Sequence, residues 1–252
     1  MRAVGVLVLA VAAALAAGCS TPAGSSAAED TTLTVSAASS LTDAFTSVAA
    51  EFEADHPGVD VALNFAGSSA LAEQVNAGAP VDVLATASQA TMAVVVDAGN
   101  AADPVTFARN ELAVVTPAAN GAGIRSLADL ERDDVLTAIC APDVPCGAAT
   151  ATLLEENGVR ITPATLDPDV KSVLARVVTD EVDAGIVYVT DARAAGATVT
   201  TVAIPTGTNV STDYQVAVIT DAAQSALADE FVALVSGDAG RATLTDLGFL
   251  AP

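Results

Sequence analysis

The chain predicts an α/β fold whose sheets are mainly parallel and covered by helices on both faces. From Thr31 onward, short β-branched runs alternate with segments of helical period, the pattern of repeated strand, crossover and strand. Apolar residues make up 52% of the 252, enough for a sizeable core in one large domain or two lobes. No internal repeat interrupts the alternation.

The first unit is the strand "TLTVSAA", followed by Leu41, Ala44, Phe45, Val48 and Phe52 at helical spacing and stopped by the turn "DHPG". "VDVALNF" is the next strand, "SSALAEQVNAG" a short helix ended by Gly78, and "VDVLATAS" another strand. Further strands are expected in "ELAVVTP", "VLTAICAP", "AGIVYVT", "TVTTVAIP" and "YQVAVIT". Near the C-terminus, Leu227, Phe231, Leu234 and Val235 share one helical face that packs a lobe.

Ahead of this pattern lies a processing signal. Arg2 supplies a minimal charged region, and Val4 to Ala17 are almost wholly apolar yet short for a membrane crossing. The stretch ends in "LAAGC", which resembles a bacterial lipoprotein signal with Cys19 as the lipidated residue, although Ala16 stands where Leu is usual. An ordinary secretory leader cut near Ala17 is the alternative. Residues 1–18 are thus a signal peptide, and residues 19–30, rich in Ser, Ala, Gly and Pro, a flexible tether.

A formal net charge of -22 excludes nucleic acid and anionic bilayer surfaces as partners, since both reward clustered Lys and Arg. Lys171 is the only lysine.

Chemistry concentrates where strands give way to helices, the edge at which open α/β sheets bind ligands. In "VSAASSLTDAF", Ser40 and Asp43 have the spacing of a helix cap, but Ser39 and Ser40 offer more donors than one cap needs. "FAGSSAL" repeats the arrangement at Ser68 and Ser69. Both junctions point free N–H groups and the positive end of a helix dipole at one sheet edge, a ready anion site. "APDVPCGAAT" enters a helix through Pro145, Cys146 and Gly147, and "DPDVKSVLARVV" starts one with Asp169 as cap and Val170 in its first turn. Tyr188 ends an apolar strand, its phenol either a satisfied core hydroxyl or a donor at the sheet edge. Singly, each of these is compatible with a purely structural role.

In combination and order, "AASSLTDAF", "FAGSSALAEQVNAGAPVDVLATAS", "PDVPCG", "DPDVKSVL" and "AGIVYVTDA" resemble the molybdate-binding proteins of bacterial ABC importers, from Thr31 to the C-terminus. The resemblance implies a two-lobed periplasmic-binding-protein fold of type II, a ligand cleft between the lobes, and no enzymatic activity or cofactor. It implies a monomer held outside the cytoplasm at the cell membrane, taking molybdate and tungstate and delivering them to a permease and its ATPase. Carried over position by position, the oxyanion contacts fall on Ser40, Ser68, Cys146, Val170 and Tyr188, none of which ligates a metal directly. Hydroxyls and amides would come from Ser40 and Ser68, backbone N–H groups from Cys146 and Val170, and a phenol from Tyr188. Gly67 stands where a further Ser is common in the family, and Cys146 where a small residue is usual. Lys171 occupies a usually basic position and reads as a solvated helix residue. With "ELAVVTP" and "YQVAVIT" as the crossing segments, lobe I is residues 31–110 with 214–252 and lobe II residues 111–213.

Two alternatives remain in the sequence. One is a binding protein for another oxyanion such as sulfate. The other is a thiol enzyme using Cys146, whose sole available histidine, His56, reads as a solvated turn residue. The spacing of Cys140 and Cys146 lacks the further ligands of a metal site. Outside the cytoplasm an even pair of cysteines is expected to be bonded, so a Cys140–Cys146 disulfide is expected.

Overall fold

The computed structural model describes residues 31–252. The signal peptide, the tether and the lipidation expected at Cys19 lie outside the described residues.

Strand β1 (Thr31–Ala38) runs through a single-turn 3-10 helix (Ser39–Leu41) into α1 (Thr42–Asp55), whose Ala44, Phe45, Val48 and Phe52 are buried at the expected spacing. Then follow β2 (Val59–Ala66), α2 (Ser68–Asn76), β3 (Val83–Thr86), α3 (Gln89–Asp97) and the long β4 (Val105–Pro117). The middle of the chain gives β5 (Thr137–Cys140), α4 (Pro145–Glu156), β6 (Thr165–Asp167), α5 (Val170–Val178), β7 (Ala184–Tyr188), α6 (Val189–Ala195) and β8 (Val199–Ala203). Strand β9 (Ser211–Val218) returns, and α7 (Ser225–Ser236) and α8 (Asp238–Asp246) close the chain. Leu227, Phe231, Leu234 and Val235 all lie on α7, with Phe231 and Val235 at 0% exposure, and α8 follows directly after Gly237.

The strand order is β2-β1-β3-β9-β4-β7-β5-β6, with β8 also on β4. Pairs β1–β2, β1–β3, β5–β6 and β5–β7 are parallel, but β3–β9, β4–β7, β4–β8 and β4–β9 are antiparallel. The expectation of mainly parallel sheets is thus corrected to a mixed sheet. The parallel pairs are the crossover units at either end, whereas β4 and β9 run against their neighbours where the chain passes between the two α/β lobes. Strand β4 changes partner on the way, facing Ser211 of β9 at Glu111 and Tyr188 of β7 at Leu112. It also begins six residues ahead of "ELAVVTP". A register shift between Thr106 and Ala108 breaks the two-residue alternation there, which hid the start of the strand.

Five of the six phenylalanines and both tyrosines form a chain of ring contacts. It runs from Phe52 and Phe231 through Phe45 and Phe107 to Tyr214, which meets Phe249 at 5.4 Å and Tyr188 at 5.8 Å between centroids. This places Tyr188, at the tip of β7, against the core of the opposite lobe.

Candidate oxyanion cleft

Helix entrances from both lobes meet at the seam between them. The cleft they enclose is lined by Ala38, Ser39, Ser40, Gly67, Ser68, Ala87 and, across the seam, by Val144, Pro145, Cys146, Asp169, Val170 and Tyr188. All five candidate contacts, Ser40, Ser68, Cys146, Val170 and Tyr188, are brought to this one cleft, and each is buried. The free volume between these walls is only about 10 Å³, so the two lobes stand nearly closed on each other at this point.

The polarity of the wall follows from what each group already bonds. Ser68, the first residue of α2, accepts the Ala87 N–H on its Oγ at 3.0 Å, leaving its own proton free. Ser40 Oγ lies 2.9 Å from the Tyr214 hydroxyl. It caps no helix, and the cap expected at "SLTD" is corrected: a 3-10 turn precedes α1, and Thr42 Oγ1 donates to the Ser39 carbonyl at 2.7 Å. Tyr188 Oη is buried without a hydrogen-bond partner among the described residues. Burial pushes that phenol well above its ordinary pKa, so it is a neutral donor.

Helices α2, α4 and α5 add first-turn N–H groups that have no acceptor within their own helix. At α4, Pro145 occupies the first position and Cys146 follows with its N–H intact. A β-carbon at Gly147 would overlap the Ala141 carbonyl, so only glycine lets this turn close behind the cleft. At α5, Asp169 is the cap, with Ser172 N–H donating to Oδ1 at 2.9 Å and Ser172 Oγ to Oδ2 at 3.2 Å. Both carboxylate oxygens are therefore engaged by the helix although Asp169 borders the cleft.

Gly67 has a physical reason. A β-carbon there would overlap the Pro168 carbonyl on the other lobe, so the absent side chain lets the two walls meet. A hydrogen bond also crosses the seam, from the Ser69 hydroxyl to the Asp143 carbonyl at 2.7 Å.

Lys171 is not the solvated helix residue expected. Its ammonium lies 3.3 Å from Asp43 of α1 and 3.2 Å from Asp191 of α6, tying together three helices that start at the cleft. Burial pulls its pKa down, but the two carboxylates outweigh that and the net shift is upward, so it stays charged. Asp191 is fully buried, and burial raises its pKa to about 6 against the pull of Lys171. Sequence spacing carried no sign of this trio, because its members lie far apart in the chain. His56 is likewise more than a solvated turn residue: half-buried, it stacks on Phe52 at 4.0 Å and bonds Glu230 at 2.8 Å, which raises its pKa.

Cys140, at the end of β5, and Cys146, in the first turn of α4, are joined by a disulfide. No thiolate is available at Cys146, and the thiol-enzyme alternative is overturned.

A small cleft at the seam of two α/β lobes, walled by neutral donors, defines a solute-binding protein of the two-lobed class. The chain belongs to the bacterial extracellular solute-binding protein family, whose model matches residues 33–250. It is 42% identical over 246 residues to the molybdate-binding protein ModA of Mycobacterium tuberculosis strain H37Rv, an alignment covering 96% of this chain and 94% of the relative. To the molybdate-binding protein ModA of Escherichia coli K12 it is 34% identical over 211 residues, covering 78% and 80%. Among solved structures, the Azotobacter vinelandii periplasmic molybdate-binding protein matches with a TM-score of 0.76 at 21% identity, covering 87% of this chain and 99% of that one. The sulfate-binding protein SubI of M. tuberculosis H37Rv matches equally well, TM-score 0.76 at 18% identity and coverages of 87% and 86%. At such identities the likeness speaks to the fold alone. The chain is a binding protein of the extracytoplasmic kind and not an enzyme.

Proposed function

We propose that this chain is the solute-binding component of an ABC importer, capturing molybdate, and tungstate with it, and handing the anion to a permease powered by an ATPase. Cys19 is the proposed lipid anchor to the cell membrane, and the protein acts as a monomer. Ser40 and Ser68 would bind through hydroxyl and N–H, Cys146 and Val170 through N–H, and Tyr188 through its phenol. The observation that carries this reading is the unpartnered Tyr188 hydroxyl, buried in a cleft where Ser68 already has its acceptor side filled and Asp169 is engaged elsewhere. Such a wall offers protons and asks for none.

A buried dianion needs its oxygens matched by hydrogen bonds, and each charge-assisted bond contributes roughly 1.5 to 3 kcal/mol. Several together support a micromolar dissociation constant, about 8 kcal/mol net. The acidic surface does not prevent this, because long-range charge is screened within about 8 Å at physiological ionic strength. The proposed lobes, 31–110 with 214–252 and 111–213, are supported by the change of partner along β4 and by the aromatic seam at Tyr214.

Calorimetric titration of the mature domain with molybdate, tungstate, sulfate and phosphate tests the reading. Molybdate and tungstate should bind at micromolar concentration or below and phosphate far more weakly. Preference for sulfate would assign the cleft to that anion instead.

A further inference from the structure

Behind the cleft lies a layer of polar groups that does not face it. Tyr214 of β9 is fully buried, and its hydroxyl is 2.9 Å from Ser40 Oγ, a separation at which either oxygen can donate. Asn110 of β4 decides which one does. Its Oδ1 accepts the Glu111 N–H at 3.0 Å, which turns its amide nitrogen toward Thr190 Oγ1 at 2.8 Å and Tyr214 Oη at 3.4 Å. An amide nitrogen only donates. Tyr214 therefore accepts from Asn110 and directs its single proton to Ser40 Oγ, and Ser40, receiving that bond, has the cleft as the outlet for its own proton. Burial pushes the Tyr214 phenol well above its ordinary pKa, so the relay keeps its proton.

We propose that Tyr214 is a specificity-determining positioning residue: through the series Asn110, Tyr214, Ser40 it holds the Ser40 hydroxyl as a donor toward the cleft, favouring fully deprotonated tetrahedral oxyanions over those that carry a proton. The proposal rests on the oxyanion reading of the cleft and adds to it a residue that touches no ligand. A protonated oxyanion must place its O–H against an acceptor. Opposite a wall of fixed donors, that proton meets another proton and its hydrogen bond is lost.

Asn110→Asp reverses the relay. The carboxylate accepts the Tyr214 proton, Tyr214 then accepts from Ser40, and Ser40 turns its lone pairs to the cleft. At about pH 8 molybdate and hydrogen phosphate are both dianions, so the added negative charge weakens both alike and the ratio of their affinities isolates the direction of the proton. Calorimetry should show that ratio falling about tenfold or more in Asn110→Asp, and about threefold to fivefold in Tyr214→Phe, which removes the relay oxygen with little change of volume. In a Ser40→Ala background, Tyr214→Phe should change the ratio no further, because the relay acts through Ser40. Equal weakening of both anions in both variants, or an undiminished Tyr214→Phe effect without Ser40, would overturn the relay while leaving the functional reading intact. A wild-type protein that binds no molybdate would instead remove the functional reading, and the relay with it.

Discussion

The lobe built on β1, β2 and β3 meets the cleft with side-chain hydroxyls, Ser39, Ser40 and Ser68, whereas the lobe built on β5, β6 and β7 meets it with helix entrances at Cys146 and Val170 and one phenol, Tyr188. Their interiors differ in the same sense. All six phenylalanines lie outside residues 111–213, and the second lobe packs on aliphatic residues such as Leu153, Val173, Val177 and Ile186 and carries the disulfide. Side-chain donors answer to mutation directly, while main-chain donors answer only to whatever moves the backbone. Two walls that do the same chemical work should therefore tolerate substitution very differently.

The largest effect is expected where the walls meet. Gly67→Ala puts a β-carbon against the Pro168 carbonyl of the other lobe, so the two walls would have to move apart to admit it. Molybdate affinity measured by calorimetry should fall more than about a hundredfold, roughly 3 kcal/mol, while the melting temperature of the ligand-free protein holds. Ser40→Ala and Ser68→Ala come next, each weakening binding by about tenfold to a hundredfold for one charge-assisted bond of roughly 1.5 to 3 kcal/mol. Val170→Ala, on the other wall, should change affinity by less than about threefold, since the contact proposed for it is an N–H that any residue but proline supplies. Comparable losses from Ser68→Ala and Val170→Ala would erase the distinction between the lobes.

Reducing the Cys140–Cys146 bridge sharpens the contrast from the backbone side. Its seven-residue ring is worth about 2 kcal/mol of stability on the chain-entropy model. The tie also holds the loop that presents the Cys146 N–H, so reduction should weaken binding severalfold by raising the ordering cost. Affinity that is the same before and after reduction would leave the bridge a purely structural element.

The smallest effect concerns Asp191. Its pKa stands at about 6 in the folded protein against 3.8 when unperturbed, so the folded state holds the proton more tightly than the unfolded one. Stability from this group is therefore present at low pH and lost as pH rises from about 4 through about 6. Asp191→Asn should melt above wild type at pH 8, with the gap narrowing as the pH falls through that window. A gap independent of pH would show that the buried carboxylate is not the cause.

The contrast also explains what was legible in the sequence. Hydroxyl wealth at Ser39, Ser40, Ser68 and Ser69 stands out because the chemistry is in the side chains. The roles proposed for Cys146 and Val170 have no such mark and could be reached only through resemblance, since any residue brings an N–H. The helical face of α1 was readable from period alone, whereas the bulge in β4 shifted the alternation and concealed its first turn of pairing. Lys171, Asp43 and Asp191 form a cluster only once three helices converge, so no local pattern announces it. Tyr214 read as an ordinary strand residue, and its hydroxyl acquires meaning only from Ser40 and Asn110, each far away in the chain.

Anomalous diffraction from crystals grown with molybdate is the most direct test of the two-walled cleft. A single molybdenum peak should lie in the cleft, its oxygens within hydrogen-bond reach of the Ser40 and Ser68 hydroxyls on one side and of the Cys146 and Val170 N–H groups and the Tyr188 phenol on the other. A peak elsewhere, or one contacted by a single lobe, would contradict the account.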